Sequence, residues 1–531
     1  MKPSLDLTLY LVTDSGILAS AKSNRTLAQT VEEAIHGGVT VVQLREKQAA
    51  TSEFVRLAVA VKEVTKRMGV ALLINDRIDV ALAVDADGVH IGQDDMPLAE
   101  ARRLLGDDKI IGVTVQTREE AEAAVAGGAD YLGIGTCYAT ATKRDARVAQ
   151  RGPQGIRSIW EHSLNAGHST GGRRVRAVTI GGINAHNTVH VLTCTRSLPA
   201  NVPLDGIAVV SAIMASDSPR DAACLLRRQI EFGLHGSWVA RQRELDSDVR
   251  GPEEARSAVA RVFERARTPP ASTAVVPLVQ HITNTVVIND CANACLALGG
   301  SPIMASDPSE QRDLAPAVSS VVVNIGTISS GQMSAIRESM REARLHNTPV
   351  VLDPVGVGAT ASRRDFVSEL LRDYGAHVIK GNAGEIAALV GSAEMRMRGV
   401  DAVGVGFEDP ARVVRDLSRR ERCVVVMTGK VDYVSDGCSV YAVHNGHRLQ
   451  GSITGSGCMV GTAVATFIHS VAHDDPLAGA LAGVVAINLA AEAAASRDDV
   501  KGPGTFRAAF IDEMHNLTVD RFARGMRIER L

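Results

Sequence analysis

Short apolar runs alternate with amphipathic segments from the start of the chain to about residue 215. The runs have strand length, and most of the segments between them repeat their apolar residues with helical spacing. This alternation predicts parallel strands joined by right-handed helical crossovers. Eight such runs in roughly 200 residues predict a (β/α)8 TIM barrel, with a doubly wound sheet as the alternative. The runs lie at 7–12, 39–44, 71–74, 88–91, 110–113, 131–134, 175–180 and 206–210.

Polar residues and glycines follow the C-terminal ends of these runs. In a parallel barrel these ends meet at one rim, where functional groups collect. Taken singly, each residue has a plainer interpretation, since Asp often caps a helix and Lys and Arg often face solvent. Together, carboxylates, cations, hydroxyls and glycine turns suit a Mg²⁺-diphosphate and a second phosphate. The residues are Gln43, Arg45, Lys47, Asn75, Asp76, Asp95, Thr114, Thr140, Thr142, Lys143, Gly181, Gly182 and Ser211.

Residues 5 to about 215 resemble thiamine-phosphate synthase. The resemblance rests on the 43–47 strand end, the Asn75-Asp76 pair, the 91–95 segment, the 140–143 loop and the 181–183 turn. It implies that an aminopyrimidine diphosphate loses diphosphate to leave a cation, which the thiazole nitrogen captures. Arg45, Lys143 and Mg²⁺ would stabilise the departing diphosphate.

The same resemblance assigns a role to each rim residue. Those implied to hold the pyrimidine diphosphate are Gln43, Arg45, Lys47, Asn75, Thr114 and Lys143. Asp76 and Asp95 are implied to hold Mg²⁺. Those implied to hold the thiazole phosphate are Thr140, Thr142, Gly181, Gly182, Val210 and Ser211.

Composition excludes several classes of partner. The formal net charge of −3 gives no basis for binding nucleic acid or an anionic membrane. The eight cysteines lack Cys-x-x-Cys spacing, which favours free thiols in a reducing compartment. The apolar stretch 477–495 is rich in Ala and Gly and contains Asn488 and Glu492, so it predicts a buried helix. With no signal-peptide pattern at the start, these features predict a cytoplasmic protein with small-molecule substrates.

Residues 233–275 predict a connection between two domains, 1–232 and 276–531. The segment is rich in Arg, Glu and Asp and ends in Thr-Pro-Pro-Ala-Ser at 268–272. A charged helix at 252–266 and a Pro-broken connector are expected, and the mixed charge favours a solvated or domain-bridging helix. Within the first domain, the hydrophilic stretch 161–174 predicts a surface excursion.

A different pattern begins at residue 277. Strand candidates at 321–325, 349–352, 378–379, 423–427 and 440–445 are mostly separated by helices, which predicts an α/β layered sheet. Chemistry in such a sheet collects at the carboxyl ends of the strands. Lys380 and Thr428 lie there and suit nucleotide phosphates, whereas Asp353 and Glu385 suit Mg²⁺ or its waters.

A glycine turn and a small-residue helix follow at 451–460. Gly455 and Gly457 let the backbone approach a ligand, and the N–H groups that open a helix bind anions, so the turn predicts a site for a transferred phosphoryl group. The helix dipole would lower the pKa of Cys458, so a thiolate that accepts a hydroxyl proton is expected. A buried cysteine after an ordinary glycine turn is the alternative.

Residues 277–520 resemble hydroxyethylthiazole kinase, of the ribokinase-like group. The resemblance rests on motifs at 281–284, 301–304, 353–360, 381–385, 454–458 and 501–504. It implies that Asn284, Met304 and Gly455 line a thiazole-alcohol pocket and that Lys380 and Thr428 contact ATP. It also implies a homo-oligomer built on trimers of this domain.

Both halves together resemble the fused bifunctional enzymes of thiamine biosynthesis. The second half would phosphorylate the thiazole alcohol with ATP, and the first would couple the resulting phosphate to the pyrimidine. A thiazole tautomerase-like barrel fused to a hydroxymethylpyrimidine kinase is one alternative. A non-catalytic scaffold or vitamin sensor is another.

Overall fold

The chain divides into two compact units, Met1–Gly236 and Ser237–Leu531. The computed structural model describes residues 2–21, 24–138, 140, 151–169, 174–198, 201–235, 252–267, 276–391, 395–398, 401–404, 407–471 and 475–531. Thr142 and Lys143, two of the predicted site residues, lie outside these ranges.

The first unit is a closed barrel of eight parallel strands. Each strand pairs with its neighbour in sequence, and β8 returns to pair with β1, as Tyr10 opposite Ala208 shows. The predicted TIM barrel is therefore confirmed, and the doubly wound alternative is wrong because the sheet has no edge. The strands are β1 (Leu9–Val12), β2 (Val41–Leu44), β3 (Ala71–Asn75), β4 (Gly88–Ile91), β5 (Ile110–Val115), β6 (Tyr131–Gly135), β7 (Ala177–Ile180) and β8 (Gly206–Val209). The helices are α1 (Ser15–Ser20), α2 (Leu27–His36), α3 (Thr51–Met68), α4 (Ile78–Ala83), α5 (Leu98–Leu105), α6 (Arg118–Ala126), α7 (Gly152–Ser169), α8 (Thr188–Cys194), α9 (Ser211–Met214) and α10 (Pro219–His235).

Alternate residues of each barrel strand face two different apolar cores. In β1, Leu9 and Leu11 pack outward against the helices, whereas Tyr10 and Val12 point into the barrel. Because both faces are buried, the strands read as continuous apolar runs. The tyrosines of β1 and β6 are thus placed inside the barrel, beneath its rim.

The stretch 161–174 differs from its prediction as a surface excursion. α7 runs to Ser169, and Ser163 and Leu164 within it are buried. Among the described side chains of this stretch, 161–166, one side of the helix is buried, which the hydrophilic composition concealed.

The second unit is an α/β layered domain built on a nine-stranded mixed sheet, as predicted. The strand order is β10-β9-β11-β12-β13-β16-β17-β18-β19, and pairing is parallel from β10 to β16 and antiparallel beyond it. The strands are β9 (Leu278–Ile282), β10 (Ser301–Ile303), β11 (Ser320–Asn324), β12 (Val350–Asp353), β13 (Val378–Asn382), β14 (Met395–Arg398), β15 (Asp401–Gly404), β16 (Val424–Thr428), β17 (Asp432–Ser435), β18 (Val440–Val443) and β19 (Ile528–Arg530); β14 and β15 form a separate hairpin.

Helices cover both faces of this sheet. One apolar core lies between the sheet and the helices that include 456–468 and 476–495. The other lies on the opposite face of the sheet, against the helices that include 330–346 and 361–373. The helices are α11 (Pro252–Arg267), α12 (Ile288–Ala297), α13 (Gln311–Leu314), α14 (Ser330–His346), α15 (Ala361–Asp373), α16 (Ala383–Val390), α17 (Pro410–Glu421), α18 (Ser456–Ile468), α19 (Pro476–Ala495), α20 (Pro503–His515) and α21 (Val519–Gly525).

The helix predicted as a solvated or bridging element is instead part of the second unit. The apolar face of α11 is buried in the core, and the Phe263 ring stacks on Phe522 with centroids 4.0 Å apart. Ala255, Val259 and Phe263 are spaced four residues apart and so lie on one side of the helix. This side is apolar although the helix carries many charges. The expectation gave too much weight to those charges.

α19 is long and apolar enough to cross a membrane by length and composition. Within it, 83% of the most apolar window is buried inside the second unit. The prediction of a buried core helix at 477–495 is confirmed.

Candidate active sites

A cavity of about 170 Å³ opens at the C-terminal rim of the barrel. The structure places on its wall every predicted rim residue that it describes. These are Gln43, Arg45, Lys47, Asn75, Asp76, Asp95, Thr114, Thr140, Gly181, Gly182, Val210 and Ser211. They come from loops after different strands, so the barrel brings together residues far apart in the sequence.

Two carboxylates meet at one side of this cavity. Burial, together with a hydrogen bond and charge repulsion from Asp95, raises the pKa of Asp76 to about 6. The ammonium of Lys47 lies 3.6 Å from Asp76 Oδ2 and opposes that rise. Neither carboxylate caps a helix, because α4 and α5 begin after Arg77 and Pro97. Paired oxygen ligands that repel each other fit a divalent cation.

The guanidinium of Arg45 pairs with Asp14, which was not among the predicted site residues. Its Nη1 lies 2.9 Å from Asp14 Oδ2, and its backbone N–H donates to Thr13 Oγ1. Asp14 also caps α1 by accepting from the Ile17 N–H. The guanidinium is therefore held at the cavity wall by the loop after β1.

The glycine turn after β7 requires its glycines. Gly181 and Gly182 have φ of 108° and 64°, in the left-handed region. A Cβ on Gly181 would lie 2.4 Å from Thr136 Cγ2. Only glycine lets this turn lie against the β6 loop and expose its backbone to the cavity.

A chain of buried hydrogen bonds crosses the barrel beneath the cavity. Gln43 Nε2 donates to Tyr10 Oη at 2.9 Å, and Tyr10 Oη lies 2.7 Å from Tyr131 Oη. Tyr131 Oη lies 2.7 Å from His90 Nδ1, and His90 Nε2 lies 2.8 Å from Thr114 Oγ1. The three ring residues were not predicted as site residues, because their only signal in the sequence was a polar atom at inward positions of β1, β4 and β6.

The second site is built around the N-terminus of α18. Gly455 precedes the helix with φ of 83°, and a Cβ there would lie 2.6 Å from Val287 Cγ1. Cys458 lies in the first turn, where Asn324 Nδ2 is 3.2 Å and Asn284 Nδ2 is 3.6 Å from its Sγ. The turn and the thiol thus face the carboxyl end of β11.

Asn324 connects the thiol to a buried ion pair. Its Nδ2 also donates to Asp353 Oδ2 at 2.7 Å, and Asp353 Oδ1 lies 3.0 Å from Lys380 Nζ. Asn324 was missed as a site residue, although an Asn at the end of the valine run 321–323 was a visible signal. Both members of the ion pair are almost wholly buried.

The expected low pKa of Cys458 is wrong for this arrangement. Burial, followed by the charge of Asp353, raises the pKa of the thiol to about 12, although Lys380 and the Asn324 hydrogen bond oppose the rise. The helix dipole was the only effect visible in the sequence. In the folded chain Cys458 is therefore a thiol at neutral pH, and it shares a hydrogen bond with Asp353.

The ammonium group of Lys380 lies close to the glycine turn. A Cβ on Gly457 would lie 3.4 Å from its Nζ, so a larger residue there would crowd the ammonium. Burial alone would lower the pKa of Lys380, but the charges of Asp353 and Glu385 raise it. A permanent positive charge therefore lies next to the N-terminus of α18, and this charge favours binding of an anion at the glycine turn.

Glu385 is tied to two backbone groups. Its Oε1 accepts from the Gly356 N–H at 3.0 Å and its Oε2 from the Asn382 N–H at 2.8 Å. Burial raises its pKa to about 7, against the opposing charge of Lys380. The oxygens of Asp353 are likewise occupied by bonds to Asn324 and Lys380. A metal ion at this place would therefore contact the two carboxylates through its bound waters and not directly. Among the described residues, no group of three or more His, Cys, Asp or Glu could hold a metal ion.

The remaining predicted residues lie at strand ends of the same sheet. Thr428 ends β16, and its Oγ1 donates to the Gly381 carbonyl at 3.5 Å. Met304 follows the edge strand β10 and is half-buried. Asn284 follows β9 and donates to Asn324 Oδ1 at 3.0 Å. Of these, Asn284 directly contacts the Cys458 network.

Comparison with known proteins agrees with this division. The thiamine monophosphate synthase family matches residues 9–213, and the hydroxyethylthiazole kinase family matches residues 272–520. A probable thiamine biosynthetic bifunctional enzyme of Schizosaccharomyces pombe is 40% identical over 528 residues, covering 97% of this chain and 96% of that protein. The thiamine biosynthetic bifunctional enzyme of Saccharomyces cerevisiae is 34% identical, with the same coverage. A hydroxyethylthiazole kinase of Pyrococcus furiosus is 44% identical over 253 residues, covering 48% of this chain and 93% of that protein.

Proposed function

Because this chain belongs to the family of bifunctional thiamine biosynthetic enzymes, we propose specific roles for the residues of its two sites. The first unit is a thiamine-phosphate synthase, and the second is a hydroxyethylthiazole kinase that uses ATP. The hydroxyethylthiazole kinase match and the bifunctional relatives disfavour the alternative of a tautomerase-like barrel fused to a pyrimidine kinase. The observation that carries the residue roles is the gathering of the predicted polar groups at one rim of each unit.

In the synthase, the polar rim binds the pyrimidine diphosphate and neutralises the charge of the departing group. Arg45, fixed by Asp14, and Lys47 present positive charge to the diphosphate, and the sequence assigns Lys143 to the same task. Asp76 and Asp95 would hold Mg²⁺, which supplies charge neutralisation when bound. Reaction then depends mainly on orientation and electrostatic stabilisation.

The same rim binds the second substrate. Gly181 and Gly182 expose backbone N–H groups to the thiazole phosphate, and Thr140 and Ser211 supply hydroxyls beside them. Val210 supplies apolar contact, and Thr142 is assigned by sequence alone. The bond to diphosphate breaks first and leaves a cation at the pyrimidine methylene carbon. The thiazole nitrogen then captures this cation, so the side chains are not required to remove a proton.

In the kinase, the alcohol oxygen attacks the γ-phosphoryl group of ATP at the glycine turn. The backbone N–H groups after Gly455 and the charge of Lys380 stabilise the transferred group. Cys458 receives the hydroxyl proton. Since it is already a thiol, its own proton passes to Asp353, with which it shares a hydrogen bond. Asn324 holds both groups in place.

Other residues of the kinase position the substrates. Asn284, Met304 and Gly455 line the thiazole-alcohol pocket, and Thr428 contacts the nucleotide. Asp353 and Glu385 would contact Mg²⁺ through its waters, which would bring charge neutralisation to the ATP phosphates.

We further propose a homo-oligomer assembled through trimers of the kinase unit. The family resemblance supports the trimer, and Val286, just before α12, and Leu296, within it, are 61% and 57% exposed and so available for a subunit contact. All eight cysteines are free, which supports the proposed cytoplasmic location. Sedimentation of the full chain tests the assembly, and a monomer at micromolar concentration would contradict it.

The residue roles and the pathway are tested together by one assay of the full chain. With Mg²⁺, ATP, the thiazole alcohol and the pyrimidine diphosphate, we expect thiamine phosphate and diphosphate. With thiazole phosphate in place of the alcohol, product should form without ATP. A chain that forms no thiamine phosphate under either condition would contradict the proposal and favour the scaffold or sensor.

A further inference from the structure

The hydrogen-bonded chain beneath the barrel cavity ends on two residues that are proposed to hold the pyrimidine. Gln43 is at one end and Thr114 at the other, and both line the cavity. Tyr10 and His90 also line the cavity, whereas Tyr131 does not, and both tyrosines are at most 1% exposed. Nothing in the proposed reaction uses Tyr131, so its hydroxyl acts on the cavity only through the hydrogen-bonded residues on either side of it.

Hydrogen-bond direction is fixed along the chain by Gln43. An amide nitrogen can only donate, so Tyr10 Oη accepts from Gln43 Nε2 and has its own proton to give. Its near neighbour is Tyr131 Oη, which then gives its single proton to His90 Nδ1. His90 in the neutral form then carries its proton on Nε2 and donates it to Thr114. The opposite direction would leave the buried Tyr10 proton without a partner inside the chain, which is unfavourable.

This direction determines what each end offers a ligand. Gln43 donates one N–H of Nε2 inside the chain, and its Oε1 remains as an acceptor. Thr114 Oγ1 accepts from His90, so its own proton remains for donation into the cavity. The cavity therefore presents an acceptor at one end of the chain and a hydroxyl donor at the other.

We propose that the chain Gln43–Tyr10–Tyr131–His90–Thr114 makes the synthase select an aminopyrimidine over the corresponding oxopyrimidine. The inference rests on the proposed synthase function. A neutral aminopyrimidine offers an amino donor and a ring-nitrogen acceptor, which complement Gln43 Oε1 and the Thr114 hydroxyl. An oxopyrimidine offers a carbonyl acceptor and a ring N–H donor, which oppose both. Tyr131 does not line the cavity, so it is a positioning residue that acts through His90 and Tyr10.

Tyr131→Phe tests the proposal because it removes one oxygen from the middle of the chain. The full chain is supplied with thiazole phosphate and, in separate reactions, the aminopyrimidine diphosphate and its oxo analogue. The ratio of kcat/KM for the two diphosphates should fall by about 10- to 100-fold, since each lost hydrogen-bond preference is a factor of this order. The ratio does not depend on the folded fraction, because both substrates meet the same preparation.

Thr179→Val is the matched control. Thr179 is fully buried in β7 and donates to the Ile134 carbonyl, outside the chain and the cavity lining. Its replacement also removes a buried barrel hydroxyl, yet it should leave the selectivity ratio at the wild-type value. Tyr10→Phe breaks the chain one step earlier and should also lower the ratio. Because Tyr10 itself lines the cavity, Tyr131→Phe carries the supporting result, and an unchanged ratio in Tyr10→Phe overturns the proposal if Tyr131→Phe does not fold.

The possible results distinguish failure of this inference from failure of the proposed synthase function. A lowered ratio in the chain variants and an unchanged ratio in Thr179→Val support it. An unchanged ratio in a folded chain variant, or an equal fall in Thr179→Val, overturns it while the synthase function stands. A wild-type chain that couples neither diphosphate overturns both.

Discussion

Replacement of Lys380 by Met is expected to destabilise the second unit and abolish its kinase activity. Lys380 Nζ lies 3.0 Å from Asp353 Oδ1, and the two side chains are 4% and 0% exposed. Removal of one partner leaves a buried charge without compensation, which costs about 3–5 kcal/mol of unfolding free energy. The Met side chain replaces much of the aliphatic stem, so lost packing adds little.

A double variant separates the charge from the packing. Lys380→Met with Asp353→Asn removes both charges of the ion pair, and the Asn side chain still accepts from Asn324. Glu385 keeps its two backbone hydrogen bonds in this variant. Loss of both charges is often close to neutral. Most of the lost stability should therefore return, whereas kinase activity should stay absent.

The effect of Lys380→Met should depend on pH. Burial already raises the pKa of Asp353, and loss of the ammonium would raise it further. The folded variant then keeps a proton that the unfolded chain releases above about pH 4. The destabilisation relative to wild type should therefore be present at pH 7 and fade as the pH falls to about 4.

Urea unfolding of the full chain, followed by circular dichroism at both pH values, measures these differences. Synthase activity serves as the control, because the substitutions lie outside the barrel. An unfolding free energy equal to wild type at pH 7 would refute the reasoning. So would a loss that the double variant does not relieve.

Two further predictions concern the stability of the second unit. Phe263→Ala removes a ring stacked on Phe522 and should lower the unfolding free energy by about 3–5 kcal/mol. Arg261→Ala on the exposed side of the same helix should change it by less than about 0.5 kcal/mol. Urea unfolding measures both, and equal effects would show that α11 is not part of the core. Burial lowers the pKa of His281 to about 4 in the folded chain. Between about pH 6.5 and pH 4, the unfolded chain therefore binds a proton at this residue that the folded chain does not bind. Stability should therefore fall as the pH drops from 6.5 towards 4, and less steeply in His281→Gln. Parallel pH curves for the two proteins would contradict this role.

The sequence predicted the parts of the fold that repeat. Each βα unit of the barrel begins with an apolar run that is visible in the sequence. The rim residues could then be predicted, because all parallel strands of a barrel end at the same rim. In the second unit, strands β9, β10, β14, β15, β17 and β19 were not predicted. They are only three to five residues long, too short to show a clear period. The buried face of α11 was missed for a different reason, because local charge concealed its apolar stripe.

The sites show where local reasoning stops. Cys458 and Lys380 were identified from strand ends and a glycine turn, but the pKa of the thiol depends on Asp353, which is 105 residues away in the chain. Tyr10 and Tyr131 look like core aromatics in buried strands, and only the closed barrel brings their hydroxyls together. Distances within one element are set locally, whereas electrostatics across elements requires the fold.

Cys458→Ala tests the central claim that two separate sites act in one chain. The variant should form thiamine phosphate from supplied thiazole phosphate and pyrimidine diphosphate at the wild-type rate. From the thiazole alcohol and ATP it should form almost none. Equal loss of product from both starting materials would contradict the account.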